Sequence, residues 1–245
     1  MRQIPRLFVE PRLHEGARLA LAADQARYLA TVLRLDAGAE LRLLDDCTGE
    51  WAARVAAVTR RSVEVEVGAM IRGRETVPDL WLCAAPIRPE RFALTVEKAT
   101  ELGVARIVPV LTERTNFARQ KPERLRAHMV EAAEQCGRTA LPELTEPVRL
   151  AELLAGWPRE RALIFADEEG GARAADGLPP PPAAIVIGPE GGFSAAERAA
   201  LLAHRQAHRL SLGPRILRAD TAAVVAIALF QALAAAAKAP PKDEA

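Results

Sequence analysis

The hydrophobic pattern of the chain changes period near residue 75, and that change divides it in two. Before it, short apolar segments follow one another: IPRLFV, ARLAL, ELRLLDD, EWAARVAAV and SVEVEVGAM. In the last, Val63, Val65 and Val67 alternate with Glu64 and Glu66, the period of two that gives a strand one buried and one wet face. One helical stretch, DQARYLATVLR, interrupts the series, and the whole predicts a small β-barrel. After it, apolar runs alternate with helical stretches: LWLCAAP, FALTVEKATELG, VARIVPVL, PERLRAHMVEAAEQCG, ALIFADE, AAIVIG, a helix from Ser194, HRLSLG and a long C-terminal helix. That order predicts an α/β domain with a mostly parallel sheet and helices on both faces. The polar segment IRGRETVP, residues 71–78, reads as the joint, giving domains at 1–71 and 72–245. The run LPPPPA is extended and solvated, and there is no internal repeat.

At 245 residues, 50% hydrophobic and 27% charged, the chain has enough material for one large or two modest folded domains. A net charge of +1 gives no bulk attraction to a polyanion, so any nucleic-acid contact rests on local clusters. Most basic residues are Arg, which fits phosphate recognition and equally a genome-wide composition bias. Cys47, Cys83 and Cys136 are odd in number and far apart, the pattern of free thiols in a reducing compartment. The N-terminus has no long apolar region, so the expected location is cytoplasmic. Residues 222–237 are nearly uncharged but fall short of the roughly 20 needed to span a bilayer, and they carry Gln231. They read as a helix buried in a core or between subunits, with no membrane partner.

Two glycine clusters draw attention to chemistry. In IGPEGGFSAAE a strand ends at Gly188, the backbone turns through Pro189 to Gly192, and Ser194 with Glu197 makes an S-x-x-E capping box. Strand, glycine turn and helix is where an open α/β sheet holds a ligand, because glycine lets backbone amides and carbonyls approach it. Neither G-x-G-x-x-G nor a Gly-Lys-Ser/Thr loop is present, which disfavours dinucleotides and triphosphates. Read alone, PEGG is a tight turn. In LSLGPRILRADTAA a second strand ends at Gly213-Pro214, two arginines flank an apolar pair, and Asp220 or Thr221 caps the last helix. Two such turns about 25 residues apart can line one pocket from two sides.

Taken together, these clusters resemble the paired signatures of the SPOUT-class methyltransferases, and within that class the family that methylates N3 of a uridine in small-subunit (16S) ribosomal RNA. EKATELGV at 97–104, TER at 112–114, EAAEQCGR at 131–138 and the N-terminal IPRLFV carry the likeness over nearly the whole chain. It implies a C-terminal α/β trefoil-knot domain beside a small PUA-like RNA-binding β-barrel. It also implies a homodimer that acts on ribosomal RNA or the small ribosomal particle, with S-adenosyl-L-methionine as methyl donor and no metal. Three loops would hold the donor: the end of ALIFADE near Phe165; Ile187, Gly188, Glu190, Gly191 and Gly192; and Leu212, Gly213, Ile216 and Leu217. Arg218 would stabilise a uracil oxygen as charge develops, and Asp220 would act as base or orient Arg218. Asp220 stands where the family typically has Glu, one carbon longer, and as a bare helix cap it would do no chemistry.

For RNA, the segment RTNFARQKPERLR offers Arg114, Phe117, Arg119 and Lys121, a basic run with one aromatic to stack a splayed base, though alone it reads as a solvated helix start. Arg215 in the second glycine cluster joins them, and Arg6, Arg34, Arg60 and Arg61 are the barrel's candidates. His204 and His208 lie four apart without the Glu of a zinc motif, and Trp51, Trp81 and Trp157 read as packing residues. Three rival readings stand beside methyl transfer to uracil: a nucleotide-dependent α/β protein, which lacks its lysine here; an RNA-binding assembly factor without transfer; and a SPOUT methyltransferase acting on another base or a ribose.

Overall fold

The computed structural model describes residues 4–59, 62–116 and 120–238. It falls into two compact units, one of residues 1–76 with 130–141 and one of 77–129 with 142–245. Phe117, Arg119, Arg60 and Arg61 lie outside the described residues.

The first unit holds β1 (Arg6–Phe8), β2 (Arg18–Ala20), α1 (Ala23–Arg27), β3 (Glu40–Asp45), β4 (Gly49–Val58) and β5 (Val63–Gly73). These strands form one curled sheet in the order β1-β3-β4-β5-β2, antiparallel except for the β1-β3 pair. The predicted alternation sets the register. Val63, Val65 and Val67 point into a core shared with Leu41, Leu43, Val55 and Leu29, while Glu64 and Glu66 face water, where Glu66 accepts from Arg18 at 3.0 Å. β5 pairs with β4 out to Gly73, so the start of the polar 71–78 segment is strand. The predicted helix is α1 followed by a π-helical turn, Tyr28–Val32, closed by Leu33 N–H donating to Tyr28 O at 3.0 Å. Two buried carboxylates organise the unit. Asp45 accepts the amides of Leu13 (2.7 Å) and Gly49 (2.9 Å), which closes the β3-β4 turn. Glu50, 2% exposed at its side chain, takes Arg6 (3.0 Å), Arg42 (3.1 Å) and Arg72 (2.6 Å) together.

The second unit contains β6 (Leu80–Ala84), α2 (Pro89–Glu101), β7 (Arg106–Leu111), β8 (Glu143–Leu144), β9 (Val148–Arg149), α4 (Leu150–Ala155), β10 (Ala162–Ala166), β11 (Ala172–Arg173), β12 (Ala183–Ile187), α5 (Ala195–Ala203), β13 (Ala207–Ser211) and α6 (Ala219–Lys238); α3 (Pro122–Cys136) starts in it. Every strand pairing is parallel, in the order β11-β13-β10-β12-β6-β7-β8, with β9 beside β7. The central strands are apolar without alternation because both faces are covered: all five residues of β12 are buried. Leu163, Phe165, Ala184 and Val186 face a core with Leu150 of α4, Trp157 of the loop that follows it and Leu201 of α5. On α6, Ala223, Ala226, Ile227 and Phe230 form a buried stripe at helical spacing. This helix is long and apolar enough, by length and composition, to cross a membrane. Two of its polar residues, however, reach α2: Asp220 receives Arg91, and Gln231 donates to Leu102 O at 2.9 Å and caps the end of that helix. A small β unit and an α/β unit with a parallel sheet are the architecture that the hydrophobic pattern predicts.

Candidate active site

The strands that carry the three predicted loops are consecutive in space, β13-β10-β12. Because they run parallel, their C-terminal ends leave the sheet at one edge, and the two glycine turns flank the loop that follows β10. With strands about 4.8 Å apart, the outer two are separated by roughly 10 Å, the width of a small ligand.

The loop after β12 is tightly specified. Ile187 is buried and its carbonyl accepts the amide of Ala85 at 3.0 Å, while Gly192 N–H donates to Pro189 O at 2.9 Å to close the turn. Gly192 sits at φ +68°, in the left-handed region. At Gly188 the constraint is space: a Cβ there would lie 2.9 Å from the Phe193 ring, which stands edge-on to Phe165 with centroids 5.5 Å apart. The predicted capping box forms, with Ser194 Oγ accepting Glu197 N–H at 3.2 Å and Glu197 accepting Ser194 N–H at 2.9 Å. The TER segment after β7 braces the same loop. Glu113 N–H donates to the second Glu197 oxygen at 2.8 Å, and Arg114 donates to Gly191 O at 2.7 Å. Glu190 and Gly191 are exposed.

Phe165 is fully buried, so its ring serves the core and only the strand end meets the loop edge. Just past it, buried Asp167 holds the β10 loop by accepting from Arg198 and Arg209, each at 2.9 Å, and from Glu169 N–H at 3.1 Å. Burial raises its pKa, but these donors outweigh burial and hold the carboxyl below its ordinary value. The next residue, Glu168, turns its carboxylate toward Gly192, where an added Cβ would come within 2.8 Å of it. Nothing in the sequence marked Asp167 or Glu168 apart from the other acids of ADEEGG.

In the loop after β13, Leu212 and Leu217 are half-buried, whereas Gly213, Arg215 and Arg218 are exposed. Ile216 is 87% exposed, an extreme value for an apolar side chain. Arg218 immediately precedes α6, its carbonyl accepting Ala222 N–H at 2.8 Å. Asp220 is therefore inside the first turn of the helix and not its cap. It is 6% exposed and accepts Arg91 Nη1 at 2.5 Å and Thr221 N–H at 2.9 Å. Burial acts to raise this carboxyl and Arg91 to lower it, and the net direction is down. Arg91 gave no sequence signal; it sits 129 positions from its partner.

Among the RNA candidates, Arg6 is one of the three arginines on Glu50, Arg34 is exposed with φ 52°, and exposed Lys121 precedes α3. His204 packs edge-on against Trp157 and His208 is exposed on β13. Trp81 lies between the guanidinium groups of Arg106 and Arg161, at 4.2 and 3.7 Å. Among the described residues no three His, Cys, Asp or Glu cluster as metal ligands.

Comparison with known proteins accounts for this arrangement. An RNA methyltransferase domain matches residues 74–231, and an RNA methyltransferase PUA domain matches residues 21–68. The ribosomal RNA small subunit methyltransferase E of Rickettsia conorii is 30% identical over 93% of this chain and 95% of its own; that of Synechocystis is 32% identical over 93% and 77%. In structure, the small subunit methyltransferase E of Neisseria gonorrhoeae, solved with S-adenosyl methionine, superposes with a TM-score of 0.85 at 26% identity, covering 94% of this chain and 98% of that one. A Legionella pneumophila methyltransferase with bound SAM gives 0.85 at 31% identity over the same shares. Fold, strand-end loops and sequence agree, and the chain belongs to the RNA methyltransferase family, with its PUA domain.

Proposed function

We propose that the protein methylates N3 of a uridine in 16S ribosomal RNA, using S-adenosyl-L-methionine. The observation that carries this reading is the convergence of the β10, β12 and β13 loops at one sheet edge, in a chain whose relatives are small-subunit rRNA methyltransferases and whose structural neighbours hold S-adenosyl methionine.

The residues present fit the donor. Gly188 and Gly191 leave backbone rather than side chains facing the turn, and the capping box and Arg114 hold that backbone in one conformation, so little ordering is left for the ligand to induce. The half-buried Leu212 and Leu217 offer apolar contact beside it. When bound, the donor supplies a methyl group on a sulfonium, already activated, so the protein's task is alignment. The uracil must be unpaired or turned out of its helix to present N3, and it loses the N3 proton as the bond to carbon forms. Arg218, exposed at the end of the last loop, stabilises the uracil oxygen on which charge grows. Lys121 and Arg215 on this unit, with Arg6 and Arg34 on the other, contact phosphates, and Phe117 stacks on an unpaired base.

The protein works as a homodimer in the cytoplasm. Ile216, and the side of α6 bearing Val224, Val225 and Leu229 away from the buried stripe, are apolar surfaces that a second copy covers. The test is to incubate the protein with tritiated donor and small ribosomal particles from cells lacking the activity, then to locate the label by nuclease digestion. Label on uracil N3 is the expected result; label on a ribose or another base overturns the assignment. Calorimetry that shows no heat with S-adenosylmethionine would favour an assembly factor.

A further inference from the structure

α2 and α6 are tied at both ends. Arg91 reaches Asp220 at one end and Gln231 reaches the Leu102 carbonyl at the other. Leu102 follows Arg91 by eleven positions and Gln231 follows Asp220 by eleven, so the helices run parallel and in register over about 16 Å. The two polar ties fix how far one helix can slide along the other. The first tie lies two residues beyond Arg218, at the junction where the last loop becomes helix. Asp220 is buried, and both of its oxygens are engaged, one by Arg91 and one by the Thr221 amide. These two donors fix the orientation of the buried carboxylate and stabilise its charged form, which makes it a weak base.

From this geometry we infer that Arg91 is a positioning residue for methyl transfer. It clamps Asp220 into the first turn of α6, which removes Asp220 as proton acceptor and sets the point from which Arg218 projects. Asp in place of a longer acid suits this task, because the short side chain keeps the clamp close to the helix backbone. The inference rests on the proposed transfer reaction and on Arg218 acting in it. It deepens that reading by assigning the pair Arg91–Asp220 to geometry and the uracil proton to solvent.

The full-length protein, with tritiated S-adenosylmethionine and undermethylated small particles, is assayed as wild type, Arg91→Ala, Arg91→Lys, Asp220→Asn and the double variant Arg91→Ala/Asp220→Asn. Arg91→Ala is expected to lower kcat about 10- to 100-fold while the calorimetric Kd for the donor stays within about twofold, because misplacement costs rate and not donor binding. Arg91→Lys should recover much of the rate, since it keeps the charge. The double variant should be no slower than Arg91→Ala alone, because both changes break one clamp. Wild-type kcat in Arg91→Ala, or Asp220→Asn stopping transfer while Arg91→Ala does not, overturns the inference. Should Arg91→Ala not fold, Arg91→Lys and Asp220→Asn decide alone: a partial loss in both supports the clamp, and abolition in Asp220→Asn only overturns it. A wild-type protein that transfers no methyl group takes the functional reading down as well.

Discussion

Glu197 divides its carboxylate between two amides, Ser194 at 2.9 Å on its own helix and Glu113 at 2.8 Å on the segment after β7. One side chain thus caps α5 and fastens a neighbouring loop to the glycine turn. Replacing Glu197 by Ala leaves both donors to solvent and is expected to cost about 1–2 kcal/mol, the usual range for a lost cap. Urea unfolding should show a lower midpoint at unchanged slope. Gln, which keeps one acceptor oxygen, should fall between Ala and wild type. A midpoint unmoved by Ala would mean that the two amides find water without cost.

Gly188 makes a sharper test of the turn. An Ala there places its Cβ 2.9 Å from the Phe193 ring, which cannot retreat because Phe165 is packed edge-on behind it. The strain of such overpacking is about 1–3 kcal/mol, and the backbone that yields to it is the glycine turn proposed to hold the donor. Affinity for S-adenosylmethionine, read by calorimetry, is expected to fall at least about tenfold. Adding Phe193→Leu, which shortens the obstructing ring, should restore part of that affinity. Failure of the second change to help would locate the effect elsewhere than this contact.

Acid should act on the first unit through carboxyl groups shifted in opposite directions. Burial raises Glu50 and Asp45, but three arginines on Glu50 and several amides on Asp45 outweigh it, leaving both below their ordinary values of 4.5 and 3.8. Their contribution is therefore complete above those values and is lost as pH falls through the lower folded ones. Glu134 behaves the other way. Burial raises it despite the Phe8 N–H donated at 2.7 Å, so its contribution is complete below 4.5 and is lost as pH rises through the folded value. Glu134→Gln keeps an acceptor for Phe8 and should stabilise the protein at pH 7, with an advantage that shrinks toward pH 4. Glu50→Gln should destabilise by about 2 kcal/mol at pH 7, less than for a fully buried pair because the arginines keep part of their hydration. It should also flatten the acid limb. Thermal melts from pH 3.5 to 7.5 measure both, and a neutral-pH gain from Glu50→Gln would contradict the network's assigned role.

Much of this was legible in the sequence for local reasons. The Val63, Val65 and Val67 alternation fixed a face, the apolar runs ALIFA and AAIVI marked strands covered on both sides, and Ser194 with Glu197 announced a helix start. Short elements escaped: β8, β9 and β11 have two residues each, too few to show a period, and α4 has six. The π-helical turn at Tyr28 keeps the apolar spacing of an ordinary helix, so the pattern did not distinguish it. At the site, glycines and prolines marked the turns because their backbone needs are local, whereas Arg91 on Asp220, Arg114 on Gly191 and Arg198 on Asp167 join residues far apart in sequence. Gln231 looked like an interruption in an apolar helix until its acceptor, a carbonyl at the end of α2, was seen.

Arg114 brings the two kinds of reading into direct conflict. By sequence it belongs to a basic segment suited to RNA phosphates, yet its guanidinium donates to the Gly191 carbonyl at 2.7 Å and its stem lies along that glycine. The bond is exposed, so its removal should cost about 1 kcal/mol, close to a fivefold change in an equilibrium constant. If bracing the turn is its main task, Arg114→Ala should weaken S-adenosylmethionine binding about fivefold in the complete absence of RNA. Lys, which also carries a donor for a single carbonyl, should recover part of the loss. If phosphate contact is its main task, donor affinity should stay unchanged, while RNA affinity falls and the slope of log K against log salt drops by about one. Measuring donor binding by calorimetry and RNA binding across a salt series on the same variant separates the two, and the geometry favours the first.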